Sequence, residues 1–134
     1  MRFVLPLCLL LLTHCGLKTD LVVYDDSAPK PQLSHLSYQV SGQVLQLALG
    51  IAGGSGAVLY QVDRAMVDPE CQCIGNWLRY YESSPSQQRS GLKRNVRLRY
   101  PDKIYAFRVR AVDSLGRKSA WSQVIKVKAE SNHE

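Results

Sequence analysis

Residues 71–73 read Cys-Gln-Cys, and they are the pair in this 134-residue chain with the clearest capacity for chemistry. Two thiols one residue apart can close a local disulfide, contribute to a metal site, act as a redox pair or stay as free or intermolecular thiols. Structural zinc takes four ligands, and Asp68 and Glu70 beside the pair do not complete such a set, while His35 lies far off in sequence. Redox pairs more often read Cys-x-x-Cys at the start of a helix, where the helix N-terminus lowers a thiol pKa. A disulfide would close a very small ring, worth only about 1.5 kcal/mol by chain entropy. Other catalytic sets are missing from the sequence. Beyond residue 14 the chain has two histidines, His35 and His133, the second at the penultimate position. There is no Ser-His-Asp order, no zinc-helix motif and no phosphate loop. The adjacent acids Asp25 and Asp26 lie in a stretch without a pattern to fix them in a cleft. The residues therefore point to a binding module, not an enzyme.

The compartment follows from the start of the chain. Phe3 to Leu12 is a run of ten residues, apolar and leucine-rich, preceded by Arg2. As a helix it reaches only about 15 Å, half the roughly 30 Å of a bilayer's hydrocarbon core. It is too short to span but the right length for the apolar part of an export signal. Export removes Cys8 and places the remaining cysteines in an oxidising compartment, which favours pairing of Cys71 with Cys73.

Leu12-Thr13-His14-Cys15 resembles the lipobox of bacterial lipoproteins, in which a leucine stands three positions before a cysteine whose thiol takes a diacylglyceryl group. The resemblance implies cleavage after His14, a position that usually holds a small residue, and a covalent lipid on Cys15 as the only attached group, with no other cofactor. Gly16 stands where this family carries Asp for inner-membrane retention, so the implied location is the outer membrane, facing the periplasm. Cys15-Gly16-Leu17-Lys18, with Leu21 and Tyr24 after it, also resembles the mature start of the small LptM-type lipoproteins that assist maturation of the lipopolysaccharide translocon; Thr19-Asp20 replaces their Gly-Pro.

Thr19 to Gln32 carries two prolines on either side of Lys30, a diacidic step and no sustained period, and reads as a tether. From Leu33 onward the apolar residues alternate: Leu36, Tyr38, Val40; Leu45, Leu47, Leu49; Val58, Tyr60, Val62; Val96, Leu98; Tyr105, Phe107, Val109, Ala111; Ile125, Val127. Gly42 allows a turn, and Gly50 to Gly56 reads as a flexible connection. In Trp77 to Tyr81 the pattern suits a strand with Trp77, Arg79 and Tyr81 on one face, with a helical turn as the competing reading. No long helical period occurs downstream of the signal, and about seven short strands predict an all-β antiparallel sandwich. The predicted organisation is a signal peptide over 1–14, a lipidated N-terminus and tether over 15–32, a β-sandwich over 33–129 and a disordered tail over 130–134.

Tyr105 to Ser122 (YAFRVRAVDSLGRKSAWS) resembles the last two strands of a fibronectin type III domain, an immunoglobulin-like sandwich. That family shows Tyr-x-Phe-x-Val-x-Ala, a polar turn with Gly, then Ser-x-Trp-Ser. The resemblance makes Tyr105 the corner tyrosine whose hydroxyl bonds back to the upstream chain. The family usually has a Trp near Gly50-Ile51, where this chain has none.

The chain carries 17 Lys and Arg against 11 Asp and Glu, a net charge of +6, and thirteen of the basic residues lie in 71–134. The resemblance puts Arg108 and Arg110 outward on one strand, with Lys126 and Lys128 outward on its neighbour and Trp121 beside them. Those five residues are the candidate binding face, with Asp63 able to neutralise one arginine. Arg97 and Arg99 belong to the other sheet. Such a face suits an envelope protein or an anionic lipid or lipopolysaccharide phosphate, and the periplasm excludes nucleic acid as a partner. The function expected is a membrane-anchored envelope lipoprotein that presents a β-sandwich binding module. The alternatives are an accessory of translocon assembly acting through the lipidated start and, more distantly, a redox or metal protein using Cys71 and Cys73.

Overall fold

The structure, a computed structural model, describes residues 26–130. The predicted signal, Cys15 and most of the tether lie outside the described residues, as does the tail after Glu130.

Seven strands follow in order: β1 (Gln32–Ser41), β2 (Val44–Ala52), β3 (Val58–Val67), β4 (Leu78–Glu82), β5 (Leu92–Arg97), β6 (Ile104–Asp113) and β7 (Ile125–Lys128). They form two antiparallel sheets, β1-β2-β5 and β4-β3-β6-β7. Two-residue periodicity is the cause. Leu45, Leu47 and Leu49 of β2, Tyr60 and Val62 of β3, Val96 of β5, Tyr105, Phe107, Val109 and Ala111 of β6, and Ile125 and Val127 of β7 point into one shared core. Leu98 lies just past β5, yet it is fully buried and its N–H donates to the Gln43 carbonyl at 2.8 Å.

Three local expectations are corrected. Residues 78–82 form a strand, with Trp77 just before it, but β4 does not alternate evenly. Tyr81 opposes Val62 and Arg79 opposes Asp63, so Tyr80 is the extra residue of a bulge. Tyr80 and Tyr81 both pack on the core, while Trp77 covers a small outer cluster of Ala65, Val67 and Ala106. The glycine-rich connection is not flexible in its bonding. Gly50 and Ile51 belong to β2, and the Arg89 guanidinium donates to the carbonyls of Gly53 and, at 2.7 Å, Gly56. The folded unit also begins before residue 33. Pro31 is fully buried, Gly54 N–H donates to Pro29 C=O at 2.7 Å, and Arg117 Nη1 donates to Ala28 C=O at 3.0 Å.

Gly50 explains itself by close approach. A Cβ there would fall 2.5 Å from the His35 ring and 2.6 Å from Ser34 Oγ, at the point where the β1–β2 register shifts. His35 thus lies over Gly50.

Candidate binding surface

The outer face of the four-stranded sheet holds Arg108, Arg110, Trp121, Lys126 and Lys128. Residues 119–122 explain how Trp121 gets there. β7 begins only at Ile125, so the upper half of β6 lacks a regular strand beside it. Ser119 and Ser122 replace one. Their N–H groups donate to the carbonyls of Ala111 (2.9 Å) and Val109 (2.8 Å). Their hydroxyls in turn accept from Ala111 N–H (2.9 Å) and Val109 N–H (3.0 Å). The Ser-Ala-Trp-Ser run satisfies the strand's backbone in this way, and the Trp121 ring meets the two arginines of β6.

The guanidiniums are heavily engaged. Arg108 Cζ lies 4.4 Å from the Trp77 ring centroid and 4.2 Å from that of Trp121, and Arg110 Cζ lies 4.2 Å from the same Trp121 ring. The stack therefore runs Trp77, Arg108, Trp121, Arg110. Asp63, buried on β3, accepts from Arg79 Nε at 2.6 Å and Arg108 Nη2 at 3.2 Å. Arg110 Nε donates to Gln61 Oε1 at 2.7 Å, and Gln61 donates to Glu82. Burial, then repulsion from Arg79, lowers the pKa of Arg110 from its ordinary value, with Asp63 opposing the shift.

Lys126 and Lys128 sit lower on the sheet, opposite Ala106 and Ile104. Lys126 Nζ donates to Gln72 C=O at 3.3 Å. Cys71 and Cys73, on either side of Gln72, are joined sulfur to sulfur in a loop held by Asp68, whose carboxylate accepts from the N–H groups of Glu70 (2.8 Å) and Cys71 (3.3 Å). One sheet thus carries all five predicted residues, but it does not present four equivalent cations. The arginines are neutralised or stacked, and Lys126 borders the disulfide loop. Trp77 is the member that the sequence reading missed. Its outward position depends on the β4 bulge, for which the sequence carries no clear signal.

Tyr105 is 1% exposed, and its hydroxyl accepts the N–H of Tyr100 at 2.8 Å. The corner is pinned to the upstream chain, with the hydroxyl as acceptor. At the opposite end of β6, buried Asp113 accepts from Ser55 N–H (3.1 Å), Leu115 N–H (3.1 Å), Arg117 N–H (3.0 Å) and Arg117 Nε (2.9 Å). Burial alone would raise its pKa, but these bonds and the Arg117 charge outweigh burial and hold it below the ordinary carboxylate value. Among the described residues no three His, Cys, Asp or Glu side chains converge as a metal site would require.

No family model and no curated protein matches the sequence. Among solved structures, the chain is similar to the solution structure of the fourth fibronectin type III domain of a human protein, with 17% identity, a TM-score of 0.52, and coverage of 90% of this chain and 94% of that one. With three strands against four, joined in this order, the chain has the fold of a fibronectin type III β-sandwich.

Proposed function

We propose that this chain is a lipid-anchored envelope protein whose sandwich is a non-catalytic binding module, and that it takes an extended segment of a partner protein along β1. The observation that carries this reading is the charge of the sheet edges. Among the described residues four strands are edges. β4 carries Arg79 and Glu82, β5 carries Lys93, Arg94 and Arg97, and β7 carries Lys126 and Lys128. Charged side chains of this kind protect an edge against pairing with another chain. β1, ten residues long, has no Lys, Arg, Asp or Glu. Beside it runs a groove of about 380 Å³ lined by Leu33, Leu36, Tyr38, Val124 and their neighbours. Tyr38 and Val124 are 53% and 43% exposed. An added strand would gain backbone hydrogen bonds at the edge and apolar contacts in the groove, as in strand-addition recognition.

The test is a photo-crosslinking residue placed at Gln39 of β1 in the full chain, with one at Asn95 of β5 as the control edge. The expected result is an adduct of one defined mass from position 39 alone, lost when Ser37→Lys adds a charge to the edge. An adduct of twice the chain's own mass would mean self-pairing, and equal adducts from both positions would mean non-specific contact; either result overturns the reading.

A further inference from the structure

A second group of charges lies at the lower end of the sandwich, where β3 and the end of β5 meet the β5–β6 connection. Arg64, Arg97 and Arg99 line one cleft of about 330 Å³ together with Met66, Tyr80, Tyr100 and Tyr105. Its lining holds three guanidiniums and no carboxylate. None of the three arginines forms an ion pair with an acid among the described residues, in contrast to Arg79, Arg108 and Arg117, which all do. Like charges gathered without a counter-charge repel one another, and an anion in the cleft would relieve that repulsion.

The geometry within the cleft is suited to such an anion. Arg64 Cζ stands 5.0 Å from the Tyr80 ring centroid and 5.9 Å from that of Tyr105. Stacking on ring faces restrains the guanidinium plane and leaves the N–H donors around its edge available. The Tyr105 hydroxyl accepts the Tyr100 N–H, and its own proton has no acceptor among the described residues, although the residue is buried. The cleft therefore offers three guanidiniums and one buried hydroxyl donor.

We infer that this cleft binds a phosphomonoester. Such a group carries about two negative charges near neutral pH and three acceptor oxygens, which matches several guanidiniums better than the two oxygens and single charge of a carboxylate. Met66 and Tyr100, 38% and 52% exposed, give the cleft an apolar rim against which the remainder of a lipid or sugar phosphate can rest. The site stands apart from the β1 edge and does not depend on it. It names a ligand class for a different part of the module, so failure here leaves the strand-addition reading untouched.

The full chain, held in neutral detergent micelles at about 50 mM salt to limit screening, is titrated with inorganic phosphate, with a short-chain phosphatidic acid and with a short-chain phosphatidylcholine as the zwitterionic control. The side-chain N–H signals of the arginines report binding. The expected result is movement of the Arg64, Arg97 and Arg99 signals with both phosphate and phosphatidic acid and not with phosphatidylcholine. Comparable affinity for phosphate and phosphatidic acid identifies the bare phosphate group as the ligand, and a preference for phosphatidic acid of about tenfold or more identifies a lipid headgroup. Arg64→Gln touches packed rings and can disturb folding, so the deciding variant is Arg97→Gln with Arg99→Gln, both exposed, which should weaken binding by about tenfold or more. Lys30→Glu with Lys118→Glu, exposed and at the opposite end of β6 from the cleft, should change it by less than about twofold. Silent arginine signals, or an equal loss in the lysine variant, would overturn the inference.

Discussion

Tyr105 and Asp113 close the two ends of β6, each by a single side chain that accepts backbone N–H groups, joined at Asp113 by the Arg117 guanidinium. Replacing Tyr105 with Phe keeps the ring, which stacks with Phe107 at 6.1 Å, and deletes the acceptor of the Tyr100 N–H. The expected loss is about 1–2 kcal/mol, read as a lower urea midpoint with an unchanged slope. Asp113 carries a pH dependence whose sign is fixed by its depressed pKa. The folded pKa lies below the unfolded value of about 3.9, so the stabilisation is complete above that value. It is lost as pH falls through the folded pKa. Asp113→Asn should cost about 2–4 kcal/mol at neutral pH, because Arg117 and several N–H groups lose a buried anion. Thermal midpoints taken from pH 7 down to pH 2 should show a steeper acid decline for the native chain than for the variant.

Between β6 and the segment that enters β7, the stack of two tryptophans and two arginines behaves as one element. Trp121 touches both arginines and Trp77 touches one. Trp121→Ala should therefore cost more than Trp77→Ala, about 2–3 kcal/mol against about 1–2, from lost cation–π contact and lost apolar cover. Lys126→Glu with Lys128→Glu should leave the thermal midpoint within a few degrees, about the range of ordinary surface changes, since both side chains are exposed. Differential scanning calorimetry of the three variants distinguishes this ordering from a sheet face in which all the cations contribute alike. The Cys71–Cys73 bond closes too small a ring to matter much to the whole fold. Replacing both cysteines with serine should cost at most about 1.5 kcal/mol.

For the whole molecule, the proposed anchor and the folded module make separable predictions. A lipoprotein's two or three acyl chains hold a protein at a membrane stably, where one chain holds it only marginally. Cys15→Ser should release the protein from the membrane fraction while the thermal midpoint of the sandwich stays the same, as residue 15 lies well before Ala28, whose carbonyl accepts from Arg117. Membrane retention of a correctly processed Cys15→Ser chain would count against the anchor. Retention of an uncleaved precursor is a different outcome, read from its larger mass on a gel.

Outside β4, the sequence by itself determined the strands and the side of each that faces the core, because a two-residue apolar period is local and each strand records it independently. The resemblance of the Tyr-x-Phe-x-Val-x-Ala and Ser-Ala-Trp-Ser runs to a fibronectin type III domain also implied a corner at Tyr105 and Trp121 beside Arg108 and Arg110. The bulge at Tyr80 was not legible, and with it the outward placement of Trp77, because a bulge is set by how β4 pairs with β3 and not by β4 alone. The cleft was even less accessible to a linear reading. Arg64 belongs to the four-stranded sheet and Arg97 to the three-stranded one, and alternation places them on strands that never pair. Only the packing of one sheet over the other, with the chain after β5 turning back toward β6, brings Arg64, Arg97 and Arg99 to one opening. Periodicity fixes the face a side chain takes; which charges meet across two sheets depends on their packing, and that exists only in the tertiary structure.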